Sequence, residues 1–350
     1  MNLVYIVSSL LAFFISLLGI KLSLKYFPRW GIMDRQESHS IHKKAVIRGG
    51  GLAIFLAFIF TVMIVLPEWK PFLGMMLGAT LIVGVNFIDD IRSLPWYLRL
   101  GVEFVAAILV IWFGVDIDII TSPFGGIIDL SWGAFTVAGF EISPLADGFA
   151  IIWIVGLMNV FNWLDGLNGL AGGVGAIASL VLFSLSLLPF IHQPEMAIIA
   201  IILFGAIMGF FPFNFFKGQI KLGDTGSKFL GFMFAVTAIL NKGKLATFGL
   251  VLGLPLIDFA WVIFRRMFID QVSIFRGDQG HFHHRMLKAG FTQKQTVVVL
   301  WTISAIFGVL ALVLRNAQQK LIGLLIMFLV LVGFAIWVVK RGQGESKTKN

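Results

Sequence analysis

The chain has 350 residues; 58% are hydrophobic and only 13% are charged, against about 25% charged in an ordinary soluble domain. Its mean hydropathy is +0.94. A soluble fold must cover itself with polar groups and cannot hide that much apolar surface, so a soluble globular enzyme, a disordered chain and a collagen-like fibre are excluded, leaving an integral membrane protein with many helical spans.

A span needs about 20 apolar residues. The first candidate, 3–20, has no basic stretch before it and no small-residue cleavage site after it, and it reads as a retained span rather than a cleaved signal peptide. Ten more follow at 51–66, 72–88, 101–115, 149–161, 170–191, 196–213, 228–240, 246–264, 297–314 and 321–339. The runs are long and continuous, unlike the short alternating segments of a membrane barrel. The expected fold is an all-α integral membrane protein of about eleven transmembrane helices, one polytopic catalytic domain over 1–340 with a short polar tail at 341–350. No internal repeat and no cysteine is present, which removes disulfides, thiolate metal sites and a cysteine nucleophile.

The net charge of +9 reads as a topology signal before it reads as nucleic-acid binding. Placing the loop after the first span in the cytoplasm puts 22 of the 27 Lys and Arg inside, Arg99, Lys221 and Lys228 among them. That predicts an N-terminus outside and a cytoplasmic C-terminus. The long outside loop 116–148 carries five acids and no base. Its β-branched residues and its turn signals at Ser122-Pro123 and Gly125-Gly126 predict a small extracytoplasmic β-hairpin.

Four polar clusters fall on the same predicted face. Asp89-Asp90 end a span, where adjacent carboxylates call for a shared cation or proton; the plainer reading is a solvated helix end. Asn159, Asn162 and Asp165, spaced by three, line one helical face and suit recognition of a sugar or base edge, with helix capping as the plainer reading. Asn168 follows, and Asn214 precedes the third cluster. That cluster, Gly223-Asp224-Thr225-Gly226-Ser227, is a small-residue loop before a span. Its amides can approach a phosphate at the positive end of the next helix, and Asp224 suits Mg²⁺, which takes one or two carboxylates plus phosphate oxygens. It is not a Walker loop. The fourth, His281-Phe282-His283-His284-Arg285, suits a diphosphate by charge and hydrogen bonds, a zinc ion, or lipid headgroups. His42 and Arg48-Gly49-Gly50-Gly51 add possible anion contacts, while Trp30 and Trp96 fit an interfacial aromatic belt. Together the clusters point to phosphoryl chemistry on a nucleotide substrate at the membrane.

In order and spacing these motifs, with Gly31-Ile32-Met33-Asp34 and Pro255-Leu256-Ile257-Asp258, resemble the polyprenyl-phosphate N-acetylhexosamine-1-phosphate transferases, the WecA- and TagO-like members of the glycosyltransferase 4 family, with MraY more distant. The resemblance runs from about Gly31 to Gly290. It implies a multi-pass enzyme of the plasma (inner) membrane with a cytoplasmic active site, in which a lipid phosphate attacks a UDP-N-acetylhexosamine, most simply UDP-GlcNAc. UMP leaves, and a lipid diphosphate sugar remains as the first membrane step of envelope glycan synthesis. It implies Mg²⁺ or Mn²⁺ as cofactor; undecaprenyl phosphate, the donor and the bilayer as partners; no nucleic acid; and homodimerisation. Asp89, Asp90, Asp224, His283 and His284 would be catalytic, with metal on Asp224 and Asp90. His42, Arg48, Asn159, Asn162, Asp165, Asn168, Asn214, Gly223, Ser227, His281 and Arg285 would bind substrate. Catalysis would be positioning and charge neutralisation.

The chain departs from the family pattern at Asn168, where an Asp is usual, and at Ser93, Glu103, Lys217-Gly218 and Lys221. These bear on the nucleotide contacts and the sugar rather than on the reaction class. The competing readings are a transporter or flippase of a lipid or sugar phosphate, an MraY-like transferase of phospho-MurNAc-pentapeptide, and an inactive scaffold. A transporter would place ionisable groups at mid-membrane, commonly in related halves; here nearly every charge lies at a loop or helix end, Asp258 being the debatable one.

Overall fold

The computed structural model describes residues 3–33, 46–66, 70–122, 124–137, 140–189, 191–241, 245–272 and 280–347. The chain separates into two units, Met1–Thr121 with Gly126–Leu245, and Ser122–Gly125 with Ala246–Asn350.

The first unit opens with α1 (Leu3–Tyr26), a 3₁₀ turn (Phe27–Trp30), β1 (Ile47–Arg48), α2 (Gly50–Val65), α3 (Lys70–Ile91) and α4 (Trp96–Trp112). Short strands follow: β2 (Ile119–Thr121), β3 (Ile127–Asp129), β4 (Phe135–Val137) and β5 (Phe140–Ile142). It closes with α5 (Pro144–Leu164), α6 (Leu170–Ser186), α7 (Pro194–Phe211), a π-helical turn (Pro212–Phe216), β6 (Ile220–Lys221) and α8 (Gly223–Leu240). The second unit contains α9 (Leu245–Val251), α10 (Gly253–Phe264), a π-helical turn (Arg265–Ile269), α11 (Phe282–Lys288), α12 (Gln293–Val313) and α13 (Ala317–Lys347).

Among the described residues each of the eleven predicted apolar segments is mostly helix, with 101–115 leaving helix after Trp112 and 170–191 after Ser186. Among the described residues, six helical stretches are long and apolar enough to cross a membrane: Leu3–Trp30, Pro71–Ile91, Pro144–Leu164, Pro194–Phe216, Gln293–Val313 and Ala317–Val338. The 246–264 segment is not one helix but two, parting at Leu252. Pro255 is the reason: it has no N–H to give, and its ring crowds the carbonyl four residues back, at Val251. α13 continues as helix through Lys347, into the predicted polar tail. The loop 116–148 forms two antiparallel hairpins, β2 with β3 and β4 with β5, where one was expected.

Packing follows membrane rather than soluble rules. α1 buries a narrow stripe of mostly small residues, Ser8, Ala12, Ser16 and Ser23 among them, and exposes Leu10, Phe14, Leu18 and Leu22. Small residues let helix backbones close up where lipid is as apolar as leucine. On α7, Gly205 and Gly209 show how close: a Cβ there would lie 2.1 Å from the Ser9 carbonyl oxygen and 2.5 Å from that of Phe13. α8 lies at the centre of this unit, packed by α2, α3 and α5, and is buried continuously from Thr225 to Ile239. In the second unit α10 and α11 pack on α12, and α12 begins with a capping box in which the Thr292 hydroxyl accepts from the Gln295 amide while the Gln295 side chain accepts from the Thr292 amide.

Candidate active site

The first turn of α8 is where the predicted clusters of the first unit meet. It is fixed from one side by the chain ahead of α2. β1 pairs in parallel with β6, Ile47 opposite Ile220 and Arg48 opposite Lys221. The Gly51 amide then donates to the Leu222 carbonyl at 3.0 Å. A Cβ on Gly51 would lie 2.1 Å from the Gly226 nitrogen. Gly51, expected as part of an anion loop, is thus a point of backbone-to-backbone contact. Arg48 faces a carboxylate of the protein itself, 3.9 Å from Asp90 Oδ1.

From the other side α3 delivers the acid pair. Asp90 is buried and accepts from the Asp224 and Thr225 amides, both at 3.3 Å, and from the Thr225 hydroxyl at 2.6 Å. It caps the positive end of α8 from a different helix. Gly223 makes this possible. Its φ is +75°, and a Cβ would lie 2.7 Å from Asp90 Oδ2. Asp89 accepts from the Leu94 amide at 2.6 Å and from Arg99 Nη1 at 2.9 Å. The same Nη1 donates to Asp224 Oδ2, also at 2.9 Å. Asp165 stands at the C-terminal end of α5. Withdrawal of its carboxyl from water pushes its pKa well above the ordinary carboxylate range, and the negative charge of Asp224 adds to the rise. Lys221 and the Gly223 amide act the other way.

The asparagines differ in what they touch. Asn162 Nδ2 donates to Ser227 Oγ at 3.2 Å, and Ser227 in turn donates to the Gly223 carbonyl at 2.9 Å. Asn159 Nδ2 donates to Glu103 Oε2 at 2.6 Å and to the Val155 carbonyl at 2.9 Å. Glu103 and Lys228 form a buried ion pair beside it. Asn214 is a staple, its Oδ1 accepting from the Gly169 amide and its Nδ2 donating to the Ile220 carbonyl at 2.8 Å. Both ends of its side-chain amide thus bind backbone where a substrate contact was expected. Asn168 lies close to Gly218, whose Cβ position is 3.2 Å from Asn168 Nδ2. His42 lies outside the described residues.

The histidine loop forms its own cluster in the second unit. Asp258 accepts from the Phe282 amide at 2.9 Å and pairs with His281 Nδ1 at 2.9 Å, so the carboxylate on α10 both caps α11 and orients the imidazole. The His281 and His283 rings stack with centroids 5.7 Å apart, and His284 lies 4.2 Å from His283. His283 is buried, its Nε2 has no partner among the described residues, and its pKa is pushed well below the ordinary imidazole value by burial and by its two histidine neighbours. Arg285 Nε donates to the Gly280 carbonyl at 2.9 Å, and its guanidinium lies over the Trp261 ring.

Three contacts were not foreseen from the sequence: Arg99 with Asp89 and Asp224, Thr225 with Asp90, and Glu103 with Lys228. Arg99 and Lys228 were read only as topology charges. The signal for Arg99 was there: it stands ten residues past Asp89 with Pro95 between, where the chain turns back. Lys228, one helical turn from Asp224, carried no signal, because its partner lies 125 residues away.

Asp89, Asp90, Asp165 and Asp224 therefore gather at one helix terminus. Among the described residues no three His, Cys, Asp or Glu side chains form a ready-made metal cage. Mg²⁺ does not need one, since it keeps waters and phosphate oxygens around one or two carboxylates. Asp224 fits that use: its side chain is 28% accessible, against 8% for Asp89 and 0% for Asp90.

Comparison with known proteins gives this chain its relatives. The model of the family described as glycosyl transferase family 4 matches residues 72–242, from α3 to just past α8. The chain is 27% identical to a Bacillus subtilis protein named a probable undecaprenyl-phosphate N-acetylglucosaminyl 1-phosphate transferase, over 97% of this chain and 93% of that one. It is 26% identical to a Thermotoga maritima undecaprenyl-phosphate alpha-N-acetylglucosaminyl 1-phosphate transferase, over 90% and 92%. A Caldicellulosiruptor bescii phospho-N-acetylmuramoyl-pentapeptide-transferase is 31% identical, over 83% and 89%.

Proposed function

The chain belongs to glycosyl transferase family 4, and we propose on that premise that it transfers N-acetylglucosamine 1-phosphate from a UDP-linked donor to undecaprenyl phosphate, releasing UMP. The relatives named for this transfer to a polyprenyl phosphate match nearly the whole chain. The observation that carries the reading is the gathering of Asp89, Asp90, Asp165 and Asp224 at the positive end of α8, inside the stretch the family model matches.

The chemistry suits those residues. Attacking and leaving groups are both phosphates, so the protein's work is positioning and charge neutralisation. Asp224 would hold Mg²⁺ or Mn²⁺, which would neutralise the donor diphosphate and polarise its phosphorus. Asp90 holds the Gly223-Asp224 turn to α3 and so fixes the direction of Asp224. Asp89, buried and bonded to Arg99, is placed to orient the acceptor phosphate or take its proton. Asn162, locked to Ser227, and Asp165 would read the nucleotide or sugar. In the second unit His283 stays uncharged at neutral pH, while Arg285 supplies fixed positive charge. We place the enzyme in the inner membrane with eleven spans, the N-terminus outside and the α8 terminus on the cytoplasmic side, on the distribution of Lys and Arg.

The test is release of UMP by purified protein in detergent with undecaprenyl phosphate, Mg²⁺ and, in separate reactions, UDP-GlcNAc, UDP-GalNAc and UDP-MurNAc-pentapeptide. Release with UDP-GlcNAc that needs both lipid and metal supports the reading. Turnover only with the pentapeptide donor would move the protein to the activity named for the Caldicellulosiruptor relative. No turnover with any donor, from folded protein, would refute it.

A further inference from the structure

We infer that Arg99 is a resident counter-cation: it holds Asp224 in the metal-free enzyme and gives it up to the divalent cation while keeping Asp89. The inference rests on the reading of Asp224 as the metal ligand.

Three features of the geometry carry it. First, one nitrogen does all the bridging. Arg99 Nη1 donates to Asp89 Oδ2 and to Asp224 Oδ2, each at 2.9 Å, while its Nε is buried without a partner among the described residues. A guanidinium grips a carboxylate best with two parallel bonds, so this contact leaves much of its capacity unused. Second, the two carboxylates are held unequally. Asp89 is buried and has a second donor in the Leu94 amide at 2.6 Å. Asp224 is more accessible, and nothing but Arg99 bonds its Oδ2 among the contacts described. Exchange at Asp224 therefore costs less than exchange at Asp89. Third, carboxylates crowd this terminus and favour a cation among them: the Asp224 amide, on the same turn as its side chain, donates to Asp90 Oδ1 at 3.3 Å.

Without metal, Arg99 supplies that positive charge. A divalent ion on Asp224 supplies more, and two cations cannot share one carboxylate edge at contact distance without repulsion. The freed face of the guanidinium, still anchored on Asp89, is then available to a phosphate oxygen. On this account metal alone binds weakly, because it must displace Arg99, and the wild-type chain discourages idle occupation of Asp224.

The experiment titrates Mn²⁺ alone into the purified full-length protein in detergent and reads free Mn²⁺ by electron paramagnetic resonance. Removing a positive charge a few ångströms from a partly buried metal site strengthens metal binding by about tenfold. Arg99→Gln is therefore expected to bind Mn²⁺ about tenfold more tightly than wild type, Arg99→Lys about as wild type, and Asp224→Asn not detectably. If Arg99→Gln binds no more tightly while Asp224→Asn still abolishes binding, the role of Arg99 is wrong and the metal assignment stands. If Asp224→Asn binds Mn²⁺ as wild type does, the metal assignment falls and this inference with it. A second measurement needs no variant: phenylglyoxal modification of residue 99, followed by mass spectrometry, should accelerate when Mg²⁺ saturates the protein. An unchanged or slower rate would overturn the displacement.

Discussion

Replacing Gly51 with alanine tests whether the meeting of α2 and α8 sets the site. The new Cβ would lie 2.1 Å from the Gly226 nitrogen, 2.3 Å from its Cα and 2.8 Å from the Thr225 carbonyl carbon. All three are backbone atoms of the first turn of α8, and none can rotate away. Ordinary Cβ contacts begin near 3.4 Å, so the two helix ends must part by about 1.3 Å, the difference between that distance and the shortest contact. Overpacking of this kind costs about 1–3 kcal/mol, and loss of the bond from the Gly51 amide to Leu222 adds about 1 kcal/mol. The expected destabilisation is thus about 2–4 kcal/mol. The catalytic effect should be larger in proportion. Asp224 rides on the displaced turn and is tied to Asp90 through it, and a misplacement near 1 Å costs about a hundredfold in rate. The assay pairs initial rates of UMP release with thermal unfolding in one detergent, using Gly101→Ala on α4 as control because its Cβ position is open. A Gly51→Ala protein with the Tm and kcat of wild type would refute the argument that this contact positions the site.

The Glu103–Lys228 pair makes a second test. Removing either partner leaves a buried charge uncompensated, so Glu103→Ala and Lys228→Ala should each cost about 3–5 kcal/mol, while Glu103→Gln with Lys228→Met should recover most of the loss; additive losses across that cycle in thermal unfolding would count against a coupled pair. Asp165 gives a pH test. Its folded pKa is raised, so the native state keeps a proton that the unfolded chain has released, and its contribution to stability is present below the ordinary carboxylate range and lost as pH rises through the raised value. In EDTA, Asp165→Asn should therefore raise Tm at neutral pH and flatten its fall with rising pH; a slope as steep as wild type would show that the cluster does not strain this carboxyl. In the second unit, Asp258→Ala removes the acceptor of both His281 and the Phe282 amide. It should cost about 1–3 kcal/mol and lower UMP release, whereas Asp258→Asn, which keeps one acceptor, should retain more of both; equal behaviour of the two variants would deny the carboxylate its orienting role.

How much of this was legible in the sequence depends on how far apart the partners lie along the chain. The apolar runs were readable because a bilayer forces every continuous run into helix, while the break at Leu252, beside Pro255, fell inside a segment expected as one span. The hairpins were half-readable: the turn signals at 122–126 were seen, while strands of three residues leave little pattern to count. The acids of the site were readable as residue types. Their partners were not, because the contacts join Asp90 to Thr225 and Arg99 to Asp224 across more than 120 residues. A charge count assigned Arg99 and Lys228 to topology, since a basic residue near a helix end looks the same whether it faces headgroups or a carboxylate. Removing both from the inside count leaves the excess of Lys and Arg on that side intact, so the orientation argument survives. The reading of Glu103 changes more. Taken alone it is a departure from the family pattern, a carboxylate where an amide is usual. Placed against Lys228 and Asn159 it is one member of a neutral buried group one turn below Asp224. A departure that acquires its own counter-charge inside the core is one the fold accommodates, because losing either partner would leave the other as an uncompensated buried charge.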